Sequence, residues 1–370
     1  MKTIDKLYRG YEPLYPIERF CSAQDALFVD IETTGLKKET TNLYLIGCGY
    51  YTDEGFMTKL FFANDSSEEF MILKAFADFV KGYTCLFHFN GLRFDIPYLL
   101  YKAEQYAIVD LFEGITQIDV YKLSKPLRYL LFPDSMKQKS IESFLCINRE
   151  DRYNGGELIE VYKRYELTAR SEDLDLLITH NREDVLGMHL IMPILCYLSF
   201  YDAPLSYSGY TINTYKDLNG EDKEEVIFEY ETTLDFPVSF SASTESMYVR
   251  ASAVKKHISI RLPLYTDEMK VYFDDYRNYC YIPDEDRAIL KSIAVSLPRN
   301  RYVRATKDNC YQKVGGTFLK QPASLFTPVL RYDLKDKRKY FRFPEDFQKE
   351  KAEQFGRDLL NVFFKMKRRS

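Results

Sequence analysis

The chain has 370 residues, 46% hydrophobic and 29% charged, a balance that excludes a disordered or fibrous protein and is long enough for two domains of ordinary size. A formal net charge of −4 excludes a uniformly basic nucleic-acid-binding coat and leaves any such surface to a local groove. The N-terminal MKTIDKLYRGYEPLYPIERF has no apolar core of signal-peptide type. The runs ALFVDIE, LYLIGCGYY and MTKLFFA then predict three successive strands, at 26–32, 43–51 and 57–63. The turns between them hold Asn42, Asp53 and Gly55, so an antiparallel meander is expected. Ser66 with Glu69 reads as a capping box before a helix whose apolar stripe is Phe70, Leu73, Phe76, Phe79 and Val80, stopped by Gly82. TCLFHFN is a buried strand, and a helix is expected from Phe94 through Tyr106. The strand ITQIDVY follows, then a mostly helical stretch from Ser124 to Phe200, interrupted at Pro133 and at Gly155–Gly156. Strands early, helical crossovers and helices late define an α/β layered domain over residues 1–200.

Beyond Phe200 polar and acidic residues accumulate in DLNGEDKEE, and then Ile258, Ile260, Leu262 and Leu264 alternate with the period of a half-buried strand. MKVYFDD is expected to return as its hairpin partner, with Pro263 marking an edge position. A helix over DEDRAILKSIAVSL and another from Glu345 to Lys367 complete an α+β accessory domain, 201–370, suited to substrate or partner binding. No repeat appears at solenoid periods. The longest apolar run, Leu190 to Phe200, contains Pro193 and is too short to span a bilayer, so no membrane partner is expected. Seven cysteines without a C-x-x-C pair fit a reducing compartment, and a cytoplasmic location follows. Basic and aromatic residues cluster at Arg299, Arg301, Tyr302 and Arg304, across Arg331 to Arg342, and in the tail KMKRRS. Such runs read first as solvated faces and second as phosphate contacts.

Four acids carry the chemistry: Asp30 and Glu32 in FVDIETTG, Asp95 in FHFNGLRFD and Asp184 in THNREDV. Asp30 and Glu32 alternate on a strand, so both carboxylates share a face while Ile31 turns to the other. His180 and Asp184 are one helical turn apart and share a face as well. Oxygen donors without a zinc-type cysteine pattern suit hard cations such as Mg2+ or Mn2+. Metal-assisted phosphoryl chemistry is therefore the expected class. Singly each signal has an ordinary alternative: a helix N-cap for Asp95, a surface pair for His180 and Asp184.

In their order, D-x-E-T-T-G at Asp30 to Gly35, N-x-x-x-F-D at Asn90 to Asp95 and H-x-x-x-D at His180 to Asp184 resemble the DEDD 3′-5′ exonuclease superfamily, which has the ribonuclease H-like fold. The bacterial YprB-type branch is more similar still, through YPIERFCSAQDALFVDIETTG, DVYKLSKPLRYLL, KQKSIESFL, REDRYNGGELI and HNREDVLGM, a likeness covering about Pro13 to Leu198. It implies a ribonuclease H-like mixed sheet flanked by helices, and hydrolysis assisted by two Mg2+ or Mn2+ ions about 4 Å apart. Asp30 would bridge both ions, Glu32 and Asp184 would complete the nucleophile side, and Asp95 would hold the second ion. His180 stands at the spacing of the tyrosine subclass, so two roles stay open for it: general base, or a group that orients the water.

By the same resemblance Thr33 and Leu36 would touch the terminal nucleotide, or else Thr33 belongs to an ordinary turn closing at Gly35. Asn90 would bond a phosphate or tie down its loop, and Phe94 reads as core. Asp119 reads as second to the acids or as a strand-end turn residue. Lys122, Lys125, Arg128, Lys137 and Lys139 would line a groove for the strand backbone. The expected function is a 3′-5′ exonuclease in DNA repair or processing, on single-stranded or 3′-ended DNA, with a helicase or repair protein as partner. The alternatives are a 3′-5′ exoribonuclease, and a non-catalytic nucleic-acid-binding module that keeps the fold. Four intact acids count against the last, because an acid cluster with no cation to hold repels itself.

Overall fold

The structure, a computed structural model, describes residues 1–131, 135–151, 153, 155–343 and 347–367. Pro133, Glu345 and the end of the basic tail, about which the sequence makes a prediction, lie outside them. The chain divides into two units, Met1–Leu198 with Phe236–Val238, and Ser199–Asp235 with Ser239–Ser370.

The first unit is built on one sheet. Its strands are β1 (Lys2–Arg9), β2 (Ala26–Thr33), β3 (Leu43–Thr52), β4 (Gly55–Phe62), β5 (Cys85–His88) and β6 (Thr116–Asp119), in the order β1-β4-β3-β2-β5-β6. The expected meander β2-β3-β4 is antiparallel, and β5 and β6 add in parallel. The edge strand β1, paired with β4, is an addition that the polar N-terminal sequence did not announce. The helices are α1 (Glu69–Val80), α2 (Asp95–Gln105), α3 (Val120–Ser124), α4 (Arg128–Leu131), α5 (Gln138–Phe144), α6 (Gly155–Thr168) and α7 (Ser171–Ile191). Gly155 and Gly156 thus begin a helix.

Helices cover both faces of the sheet. On one, Leu27, Val29, Ile31 and Cys48 pack with Ile72, Leu73 and Phe76 of α1 and Leu99 of α2. On the other, Leu45, Leu60 and Phe62 pack with Leu158 and Tyr162 of α6 and Leu177 of α7. Since side chains alternate along a strand, Asp30 and Glu32 must face the α6–α7 side. By length and composition the helical stretch Ser171–Phe200 could cross a membrane, contrary to the sequence expectation, yet most of its apolar window is buried in the protein.

The predicted capping box does not form. Ser66 lies in a 3-10 turn whose N-cap is Asp65, and Glu69 turns inward, accepting from the Leu43 N–H at 2.6 Å and pairing with Lys102 at 3.1 Å. Phe70, expected in the apolar stripe, is 43% exposed, and Ile72 takes its place.

Among the described residues the second unit contains three β assemblies. A five-stranded antiparallel sheet is formed by β7 (Leu205–Lys216), β8 (Asp222–Thr232), β9 (Phe240–Thr244), β10 (Met247–Ser252) and β11 (His257–Pro263), ordered β7-β8-β11-β10-β9. A small closed barrel joins β12 (Tyr265–Tyr272), β16 (Tyr311–Gln321), β17 (Leu330–Arg331) and β18 (Lys339–Arg342). A three-stranded sheet joins β13 (Tyr279–Ile282), β14 (Arg287–Leu290) and β15 (Val303–Arg304). The helices are α8 (Lys291–Ala294) and α9 (Lys349–Lys367).

Three expectations fail in this unit. The alternating strand β11 is central, between β8 and β10, and Pro263 is accommodated as its last paired residue. Its expected hairpin partner is instead β12, which pairs with β16 and β17. The helix expected over 284–297 is broken by Asp286 in the left-handed region, φ 47°. After it Ala288 and Ile289 point into different core clusters of a strand. Pairing with β13 overrides the helical propensity there.

Candidate active site

Two local features deliver Asp30 and Glu32. The strand β2 is buried along its length, and a register shift against β3 falls between Glu32 and Thr33, so the strand bends just past the acid pair. The parallel ladder with β5 ends at Phe28 and Phe87. Beyond it the Ile31 N–H donates to the carboxylate of Asp95, the first residue of α2. This fixes the second motif against the first.

The third motif is seated by glycines. A Cβ on Gly47 would lie 2.0 Å from Asn181 Oδ1 and 2.8 Å from Val185, and one on Gly49 would lie 2.7 Å from Val185. Only hydrogens on these two β3 residues let α7 come this close. Asn181 then donates to Asp30 Oδ2 at 2.8 Å, and His180 Nε2 stands 3.3 Å from Glu32 Oε1 and 3.2 Å from Asp184 Oδ2. Ligand atoms of Glu32, His180 and Asp184 all lie within 4.8 Å of one another. His180 Nδ1 meets Asp151 Oδ2 at 2.8 Å, and since a carboxylate only accepts, Nδ1 carries the proton there. Lys139 donates to the same Asp151 oxygen at 3.0 Å.

Electrostatics bind the four acids into one group. Burial, then the carboxylates of Asp184, Asp95 and Glu32, push Asp30 well above the usual carboxylate range, against a pull from Arg149. Glu32 is pushed up by burial and by Asp184, Asp95 and Asp151, against Lys139. Asp95 rises to about 6, because burial outweighs the hydrogen bonds from its own N–H and that of Ile31. Asp151 is held low: its burial is overcome by the Tyr153 N–H, Lys139 and His180. Converging carboxylates whose ionisation is costly are a site short of positive charge, and hard divalent cations take such oxygen donors. The residues fit that group.

A family model described as the RNase_H superfamily matches residues 27–196. The first unit has the ribonuclease H-like fold. No curated protein sequence matches the chain. Among solved structures, the family B DNA polymerase of Pyrobaculum calidifontis is similar over 48% of this chain and 25% of its own, at 17% identity and a TM-score of 0.38. The zinc-bound E. coli ExoI–ssDNA complex is similar over 56% of this chain and 54% of its own, at 12% identity and a TM-score of 0.29. The chain thus spans about a quarter of the polymerase and about half of the exonuclease.

Of the other residues singled out from sequence, Thr33 is spent on the turn, its hydroxyl donating to the Gly35 carbonyl at 2.8 Å. Leu36 is 83% exposed on the loop that follows. Asn90 has a left-handed backbone, and its N–H donates to Asp119 Oδ1, which also caps α3 through the Lys122 N–H. Phe94 packs on the core cluster. A cavity of about 510 Å³ is lined by Phe89, Asn90, Arg93, Tyr121, Arg128 and Lys137, among others. Lys139 points to Asp151 and the Tyr153 carbonyl. In the second unit Arg301 pairs with Glu285 and Arg338 with Asp336, so part of the basic run is spent locally.

Sequence reasoning missed Asn181, Asp151, Arg149 and Glu142. Arg149 and Asp151 stand in REDRYNGGELI, a segment noticed for its likeness, but their spacing from the acids carries no period to read.

Proposed function

We propose that the protein is a metal-dependent nuclease that removes nucleotides from the 3′ end of DNA. The carrying observation is the convergence of Glu32, His180 and Asp184, with Asp30 and Asp95 electrostatically coupled to them. Asp30, Glu32, Asp95 and Asp184 would hold two Mg2+ or Mn2+ ions. Bound there, such ions supply Lewis-acid activation and neutralise charge developing on the phosphorus oxygens.

The chain's own groups do the rest. Asp151 pins the His180 ring through Nδ1, and Nε2 is aimed among the acids, where it accepts a proton from the attacking water. Asn181 fixes the Asp30 carboxylate by its 2.8 Å bond. Arg93, Arg128 and Lys137 in the neighbouring cavity supply positive charge for backbone phosphates, and Phe89 and Tyr121 supply ring faces and edges for bases. Polarity and DNA preference rest on the motif resemblance.

Digestion of 5′-labelled single-stranded DNA and of matched RNA, with Mg2+ or Mn2+ and beside Asp30→Ala, tests the reading. A ladder shortening from the 3′ end, present only with metal and absent in the variant, supports it and ranks the two sugars. Metal-independent cleavage, or none with binding retained, refutes it.

A further inference from the structure

Both oxygens of Asp184 lie beside nitrogens: Oδ2 stands 3.2 Å from His180 Nε2, and Oδ1 faces Arg149 Nη1 at 2.6 Å. Arg149 is held from behind by Glu142, whose carboxylate accepts from its Nε and, at 2.6 Å, from its Nη2. Gln138 donates to Glu142 at 2.9 Å and to the Asp184 carbonyl at 2.8 Å. Gly187 makes room for this arrangement: a Cβ there would lie 2.2 Å from Glu142 Oε1 and 3.1 Å from Arg149 Nη2. The next two residues dock on the same helix, since the N–H groups of Glu150 and Asp151 donate to Glu183 at 3.0 and 2.9 Å. Residues 149–151 are thereby registered on His180, Glu183 and Asp184, and the Arg149 side chain is only 9% exposed.

We propose that Arg149 is a resident counter-ion of the site: it offsets part of the negative charge of Asp184 while no divalent cation is bound and competes with the cation for that carboxylate. The proposal rests on the reading of Asp184 as a metal ligand. Four neighbouring carboxylates repel one another, and burial makes the ionised forms of Asp30, Glu32 and Asp95 costlier. A guanidinium fixed in a fork lowers that cost without leaving the fold. The same positive charge opposes entry of a divalent ion, which would share the Asp184 carboxylate with the guanidinium. Arg149 is thus a positioning residue that sets how tightly the cation is held.

The test compares the full-length protein with Arg149→Met and Arg149→Lys by thermal unfolding in EDTA and in saturating MnCl2, and by Mn2+ titration followed by electron paramagnetic resonance. Arg149→Met should lose about 5 °C in EDTA and much less in Mn2+, and it should bind Mn2+ about tenfold more tightly. Arg149→Lys, which keeps the charge but not the fork, should fall between. Equal losses with and without Mn2+ at unchanged affinity would mean that Arg149 only ties its loop to α5, and weaker Mn2+ binding would mean that it serves the ligand set; either overturns the proposal. If Arg149→Met is recovered only with Mn2+, the expected dependence is present in extreme form. If it is not recovered at all, unchanged affinity in Arg149→Lys overturns the proposal. Failure of the wild type to bind Mn2+ overturns the metal reading itself, a result distinct from all of these.

Discussion

Gly47→Ala tests how the site is assembled. The added methyl carbon would stand 2.0 Å from Asn181 Oδ1 and 2.8 Å from Val185 Cγ2, where ordinary contact begins near about 3.5 Å. Either α7 withdraws by roughly 1.5 Å or Asn181 leaves its rotamer. Both outcomes break the 2.8 Å bond to Asp30 and shift His180 and Asp184, which flank Asn181 on the helix. Overpacking costs about 1–3 kcal/mol, and loss of a hydrogen bond to a charged group adds about 1.5–3 kcal/mol. A total near 4 kcal/mol lowers the melting temperature of a unit of this size by about 10 °C. Differential scanning calorimetry reads the shift, and Mn2+ titration should show at least about tenfold weaker binding. Gly315→Ala is the control, because a Cβ there meets nothing within 4 Å. It should be neutral or stabilise by about 0.5 kcal/mol. A Gly47→Ala protein that melts within 2 °C of wild type (roughly 1 kcal/mol) and binds Mn2+ equally well refutes the close seating of α7 on β3.

Without metal, stability should fall as pH rises from about 5 to 7.5. Asp95, raised to about 6, keeps its proton in the folded state where the unfolded chain has lost it, and Asp30 and Glu32 add in the same direction. Carboxylates held low, such as Asp151, contribute stability already present at pH 5. Urea midpoints in EDTA check this, with a loss of about 1.5 kcal/mol from Asp95 alone over that range; greater stability at pH 7.5 than at pH 5 contradicts it. Asp151→Asn should lower kcat about a hundredfold while leaving Mn2+ affinity within about threefold, because it loosens the His180 ring and removes no ligand; equal loss of both would place Asp151 among the ligands. Arg93→Ala with Lys137→Ala should weaken single-stranded DNA binding and reduce the slope of log affinity against log salt by about 1.4; an unchanged slope removes this cavity from the strand path.

The sequence by itself determined the four acids and most of the elements that carry them. A strand places every second side chain on one face and a helix places residues four apart on one face, so Asp30 with Glu32 and His180 with Asp184 could be paired from spacing alone. The buried strands at 26–33 and 43–52 were legible for the same reason, being apolar runs bounded by turn residues. Sequence could not supply partners. Asn181 reaches Asp30 across 151 positions and Asp151 reaches His180 across 29, and no local period encodes either distance. The same gap misassigned β11 as an edge strand and read β14 as helix, since alternation and propensity specify a local conformation and not the neighbour it pairs with. Tertiary structure alone decided which basic groups meet the acids, because Arg149 arrives at Asp184 only when Gly187 admits Glu142 to the helix surface. Local geometry repeats along the chain and can be read from it, whereas close approach between distant segments depends on the volume that every intervening side chain leaves free.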